Sequence, residues 1–329
     1  MTSASTCRTS PPSVLLPAFR LPRGSGGPHS GTHPQPAGDS PSEPAALPLP
    51  TTAPTSVASG RSWPARWRGS MLYDVHFHPT DEPLVRDVPA VMERARAAGV
   101  SGGLAAGYDP DSCCRVLELA EAVPGLDAAV GFHPWFIRPD LDVRQLRPWL
   151  AHPRIVALGE IGLDGKVEVD PGLQRRYFVA QLELARELQL PVVVHSRHAF
   201  QATLDAVREV PGVTGILHSF GGAPEVASRF LDLGWYFSLS GSATRPNARR
   251  VHRLVRFLPD ERILLETDAP AIGLEGVPPE QVEPAHVRHV LVAVAALRGQ
   301  PPDALEARIA KNLSTLFKGG IGRTALGAE

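Results

Sequence analysis

The sequence predicts an α/β chain whose folded part is one (β/α)8 TIM barrel, preceded by a disordered N-terminal extension. Three observations carry this expectation. After Met71, runs rich in β-branched or small apolar residues alternate eight times with amphipathic helical stretches. Eight such units in about 250 residues fit a closed barrel better than an open doubly wound sheet. No G-x-G-x-x-G or Walker loop follows the first strand, which removes the commonest nucleotide-binding alternatives. Finally, 13 of the 34 prolines lie before Met71, among Ser, Thr, Gly and Ala without hydrophobic periodicity. Such a segment cannot bury enough apolar surface to offset its chain entropy.

Residues 1–70 are therefore expected to be disordered and 71–329 to form the domain. Three accounts of the extension stay open: a start-site artefact with Met71 as initiator, a natural disordered tail, or a transit-like peptide. The last rests on Arg8, Arg20 and Arg23 preceding the first acidic residue, Asp39. The apolar run around Val14 to Leu16 is too short for a secretory or membrane-spanning segment.

The expected strands are 71–78, 101–106, 127–133, 155–163, 191–197, 213–219, 235–240 and 262–268. Helices fall between them; in 172–189, Leu173, Tyr177, Ala180, Leu184 and Leu188 form one stripe. Two further helices, about 283–297 and 302–317, would close the barrel. Net charge is -1 and the pI about 6.9, so no global basic field announces a nucleic-acid partner. Cys113 and Cys114 are neighbours in an expected helix, where a bridge between them would be strained. With no disulfide framework and no membrane span, the chain suits a reducing, cytoplasmic setting.

The first strand carries the chemistry. In Tyr73-Asp74-Val75-His76-Phe77-His78, alternation puts Asp74, His76 and His78 on one face and the apolar residues on the other. Alone, this motif fits a pair of hydrogen-bonded core histidines equally well. The rest of the chain decides: His133, Glu160, His195, His218 and Asp268 are also expected at the C-terminal ends of strands, the face on which barrels build active sites. The other histidines lie in the extension or, like His286 and His289, on loops and helices where solvated side chains are expected.

Four histidines and two carboxylates exceed the three protein ligands of a catalytic zinc. The set therefore suggests two divalent metal ions, about 3.5–4 Å apart, with Glu160 able to bridge them through its two oxygens. Nitrogen-rich donors favour Zn, Mn or Fe over Mg. Asp74 is expected either to ligate or to hydrogen-bond a ligating histidine.

These residues sit in motifs that resemble the TatD family of metal-dependent hydrolases, a deoxyribonuclease group of the amidohydrolase-like barrels. The resemblance runs from about Met71 to Phe317 through Asp-x-His-x-His, GFHP, GEIGLD, LQRRYFVAQLELA, PVVVHSR, LHSF, ILLETDAP and EPAHV in that order. It implies His76, His78, Glu160, His195, His218 and Asp268 as metal ligands, with Asp268 and Glu160 catalytic and Asp268 the general base. It implies His133 and Arg197 as contacts to substrate phosphate. Gly165, His198, Gln281-Val282 and Gly221-Gly222 depart from the family's usual residues near the mouth, which bears on substrate rather than on hydrolysis.

The expected activity is hydrolysis of DNA phosphodiesters by a metal-activated water, probing single-stranded ends as an exonuclease, with two ions of Mg, Mn or Zn. Arg245, close to a strand end, is the expected basic contact to DNA, and bases could stack on Trp135 and Phe136. Arg249, Arg253 and Arg256 read more simply as a solvated stripe. The alternatives are a hydrolase of a small amide, lactone or phosphate ester on the same barrel, or a non-catalytic metal-binding scaffold. Many barrels of the first kind bridge their metals with a modified lysine on strand four, where this chain has Glu160.

Overall fold

The computed structural model describes residues 72–317. The extension expected over 1–70 lies outside them. In chain order the strands and helices are β1 (Leu72–Phe77), α1 (Val88–Ala97), β2 (Val100–Ala106), α2 (Pro110–Ala122), β3 (Leu126–Val130) and α3 (Leu146–Leu150). There follow β4 (Ile155–Asp164), α4 (Pro171–Leu188), β5 (Val192–Arg197), α5 (Phe200–Glu209), β6 (Gly215–Leu217) and α6 (Pro224–Leu231). The chain continues with β7 (Tyr236–Leu239), α7 (Arg249–Phe257), β8 (Ile263–Leu265), α8 (Val287–Arg298) and α9 (Pro302–Leu316). The eight strands form one sheet in sequential order, every pair parallel.

Three helices start where a side chain accepts from the first turn's free N–H groups. Asp87 accepts from Ala90 N ahead of α1, Asp109 and Ser112 form a reciprocal box ahead of α2, and Asp170 accepts from Leu173 N ahead of α4. A proline in the first turn of each pre-sets the helical φ. Gly299, at φ 64°, ends α8 in the left-handed region that glycine enters without strain.

The seam between β8 and β1 completes the barrel. Asp268 N donates to His76 O at 3.0 Å and His78 N to Ala269 O at 2.8 Å. Between β1 and β8, the Thr267 N–H goes to a side chain, Asp74 Oδ1, at 2.9 Å. The carboxylate of Asp74 thus stands in for a strand carbonyl at the closing edge.

Helix α4 fixes two pieces of the barrel's upper rim. Gln181 brackets the backbone of Phe132, accepting from its N–H at 2.7 Å and donating to its carbonyl at 3.1 Å. Two helical turns earlier, Gln174 accepts from Asp164 N at 2.8 Å and donates to Asp164 O at 3.2 Å. Both glutamines are buried, where an amide that fills donor and acceptor roles satisfies groups an aliphatic residue would strand. Their backbone partners adjoin His133 and carry Asp164. Behind the barrel, the buried Arg288 donates to the carbonyls of Ala98 and Gly99 at the end of α1, and Asn312 ties α9 to Ile263 O.

Three strands end two or three residues earlier than the sequence suggests. β3 ends at Val130 rather than 133, β6 at Leu217 rather than 219, and β8 at Leu265 rather than 268. Ser219 and Asp268 have φ of 43° and 52°, which no ladder accommodates, so the chain turns there. His286, expected to be solvated, is buried, in a 3-10 turn ahead of α8.

Candidate metal centre

The side chains expected at strand ends converge above the barrel. His76 lies within β1 and Glu160 within β4, while His78, His218 and Asp268 stand just beyond their strands; all five are buried. His195, in β5, keeps slight access to solvent. His133 sits in the loop after β3 and is also buried.

Four donor atoms form one cluster. His76 Nε2 and His78 Nε2 are 3.2 Å apart. Each faces Glu160 Oε2, at 3.4 and 3.5 Å, and Asp268 Oδ1, at 3.6 and 3.4 Å. Donors about 2.0–2.2 Å from a shared tetrahedral cation stand roughly 3.3–3.6 Å from one another. Five of the six edges, at 3.2–3.6 Å, lie in or close to that range.

The other oxygen of Glu160 faces a second cluster. Oε1 lies 2.8 Å from His218 Nε2 and 3.2 Å from His195 Nδ1, and those two nitrogens are 3.2 Å apart. His133 Nε2 is also 3.2 Å from Oε1. Among the described residues, the compatible triads are His76–His78–Glu160, His76–His218–Asp268 and His133–Glu160–His195.

Partners on the far side of three of the rings assign their tautomers. His78 Nδ1 is 3.3 Å from Ala106 O, an acceptor, so Nδ1 carries the proton and Nε2 presents a lone pair inward. His195 Nε2 lies 3.0 Å from Asp164 Oδ2, which leaves Nδ1 as the inward lone pair. His133 is reversed: Nδ1 accepts from Trp135 N at 3.2 Å, so Nε2 carries hydrogen and donates to Glu160. This arrangement makes His133 a donor to the carboxylate.

The inward nitrogens of His76 and His78, and those of His195 and His218, stand 3.2 Å apart, so each pair needs something positive, a proton or a cation, between its members. The electrostatics express the same demand. Burial opposes charge on His78, but its bond to Asp268 and the charge of Glu160 outweigh burial and hold its pKa near 9. Burial also opposes charge on His218, yet Glu160 and Glu266 push it well above its ordinary value. Burial would raise Glu160, but the surrounding His133, His218 and His76 drive it well below the usual carboxylate range. His133, dominated by burial, falls to about 4. The donor chemistry thus fits a divalent cation centre with mixed nitrogen and oxygen ligands.

Asp74 reaches neither cluster. Its oxygens take the Thr267 N–H, the Thr267 hydroxyl and the His76 backbone N–H, so it does not orient an imidazole. That corrects the expectation of a ligating or ring-orienting Asp74. Arg197 lies at the rim, where Nε donates to Asp164 Oδ2 at 2.9 Å. Arg245 follows a 3-10 turn after β7, and its guanidinium donates to Gly273 O at 2.9 Å. Arg245 is exposed, and this bond tethers one of its guanidinium nitrogens to the backbone.

Two carboxylates behind the histidines escaped sequence reasoning. Asp164 Oδ2 accepts from His195, from Arg197 and from Trp135 Nε1 at 2.6 Å. Burial works against its charge, but the bonds from His195, Trp135 and the Lys166 backbone N–H hold its pKa well below normal. Glu266 accepts from Ser238 Oγ, and its Oε1 lies 3.7 Å from His218 Nδ1. A signal for Asp164 existed: it is four residues beyond Glu160 on one strand, hence on the same face.

Comparison with known proteins places this geometry. The sequence profile of the TatD related DNase family matches residues 73–318. The chain is 31% identical over 253 residues to the uncharacterized metal-dependent hydrolase YabD of Bacillus subtilis, covering 75% of this chain and 99% of that protein. It is 34% identical over 261 residues to the 3'-5' ssDNA/RNA exonuclease TatD of Citrobacter koseri, covering 75% and 98%. The crystal structure of YjjV, a TatD homologue from Escherichia coli K12, matches with a TM-score of 0.70 at 32% identity, over 75% of this chain and 98% of that one.

Proposed function

This chain belongs to the TatD related DNase family and is a metal-dependent hydrolase, and on that premise we propose that it hydrolyses phosphodiester bonds at single-stranded DNA ends. The observation that carries the reading is the division of Glu160: one oxygen faces His76 and His78, the other His195 and His218. A carboxylate so placed suits two divalent ions, of Mg, Mn or Zn. His76, His78 and Asp268 would complete one site, and His195 and His218 the other. Bound there, such ions would supply water activation and neutralise charge on the phosphoryl oxygens.

The chain's own residues do the rest. Asp268, on the inner side of the first cluster, takes the proton from the attacking water. Asp164 and the Ala106 carbonyl keep His195 and His78 in the tautomers that present lone pairs inward. His133 donates to Glu160 and adjoins the position of a substrate phosphate, and Arg197 at the rim meets a phosphate oxygen. The name of the Citrobacter relative supports single-stranded nucleic acid as the substrate class. No described helix is long and apolar enough to cross a membrane, and with the cysteine usage this supports a cytoplasmic setting.

The test is release of nucleotides from a single-stranded oligonucleotide with Mg, Mn or Zn, before and after chelation. The reading expects metal-dependent release that chelation abolishes. Release that survives complete chelation, or no release with any of the three metals, would overturn it.

A further inference from the structure

Two exposed aromatic surfaces flank His133 at the rim, one beside each half of the histidine cluster. Trp135 stands 6.1 Å from the His195 ring and 5.0 Å from His133. Phe136 stacks on Tyr108 at 4.8 Å and 25°, and Tyr108 lies 5.7 Å from the His78 ring. Trp135 and Phe136 each remain 39% exposed.

Loop aromatics that serve packing alone bury their faces. Trp135 and Phe136 stay partly exposed, yet the polar edges of Trp135 and of Tyr108, on which Phe136 stacks, are pinned. The Trp135 indole N–H donates to Asp164 at 2.6 Å, and the Tyr108 hydroxyl donates to Asp81 Oδ1 at 2.7 Å. An exposed ring held at its edge has already lost its rotamer freedom, so a flat ligand can stack without that cost. Arg197 adds a cation, its Cζ 5.4 Å from the Trp135 ring centre.

We propose that Trp135 and the Phe136–Tyr108 pair are two nucleobase shelves, which stack the bases on either side of the phosphodiester held at the histidine cluster. The proposal rests on the nucleic-acid reading above and deepens it. The bound unit is a dinucleotide with both bases unpaired, since a base in a duplex has its faces covered. Aromatic stacking tolerates every base, so these shelves select for single strands without selecting sequence.

Fluorescence anisotropy with metal-stripped protein tests this, using a 5'-labelled single-stranded oligonucleotide with all bases, or with an abasic residue at the terminal or the penultimate 3' position. Wild type is expected to bind each abasic probe about 5- to 100-fold more weakly than the intact one, the range that stacking of one base confers. Trp135→Leu should lose sensitivity at one position and Phe136→Leu at the other. Trp135→Phe, which keeps the ring and drops the N–H, should retain most of it. Equal binding of intact and abasic probes by wild type, or unchanged sensitivity in both leucine variants, would overturn the shelves while metal-dependent nucleotide release kept the nuclease reading. A wild type that neither binds these probes nor releases nucleotide from them would overturn both.

Discussion

Asp74 receives both the backbone N–H and the hydroxyl of Thr267, at 2.9 and 2.5 Å, across the seam where the last strand meets the first. Both residues are fully buried. Removing the acceptor strands these two donors and the His76 backbone N–H, which also donates to Asp74 Oδ1. Asp74→Ala is expected to cost about 3 kcal/mol or more of stability, at about 1–3 kcal/mol for each stranded buried donor. Urea unfolding of metal-stripped protein measures it. Variant protein that stays folded should still bind metal, because Asp74 contributes no ligand atom; wild-type stability together with lost metal would instead make Asp74 a ligand.

Asp164 fixes the tautomer of His195 and sits behind it. Asp164→Asn can place its N–H toward the imidazole and reverse the proton assignment. The expected result is a 10- to 100-fold loss of metal affinity, the usual effect of removing such a partner. Competition against a chromophoric chelator would show it, and unchanged affinity would remove Asp164 from the centre.

Arg197 and Arg256 differ in what they are expected to touch. Arg197 lies at the rim beside Trp135, whereas Arg256 is exposed on α7. Each phosphate neutralised on a single strand contributes a slope of about -0.7 to the plot of log affinity against log salt. Arg197→Ala should reduce the slope of oligonucleotide binding by about that amount, and Arg256→Ala should leave it unchanged. Equal effects from both would mean that the phosphate chain runs over the outer helices.

His289, stacked on His286 at 5.4 Å, supplies a pH dependence remote from the cluster. Burial, then the proximity of His286, lowers its pKa from 6.5 to about 4. Because the folded value is the lower one, the unfolded chain binds the extra proton between these limits. Its effect is nil above pH 6.5 and destabilises the fold as pH falls toward 4. The size is on the order of 2 kcal/mol. In thermal melts across that range the wild type should lose more stability on acidification than His289→Gln, and parallel curves would contradict the assignment.

What the sequence revealed depended on local periodicity. The period of two put His76 and His78 on one face, and repeated strand–helix units put Glu160 and His195 on the same rim; both need only neighbouring residues. His133 was placed at a strand end, yet it belongs to a loop whose position is set by Gln181 of α4, 49 residues away. The role of Asp74 depends on Thr267, 193 residues on, and appears only when the barrel closes. Likewise, burial of His286 follows from packing of the turn ahead of α8, which helical periodicity does not describe. Arg245, expected as the basic contact to DNA, is exposed and also bonds the Gly273 carbonyl, a tether that a sequence does not show.

The central claim is that Glu160 joins two cation sites. Elemental analysis of wild type and Glu160→Ala, each loaded with zinc and freed of excess metal, tests it most directly. Two zinc ions per chain in the wild type and fewer than one in the variant are predicted. One ion per chain in the wild type, or two retained without the Glu160 carboxylate, would contradict it.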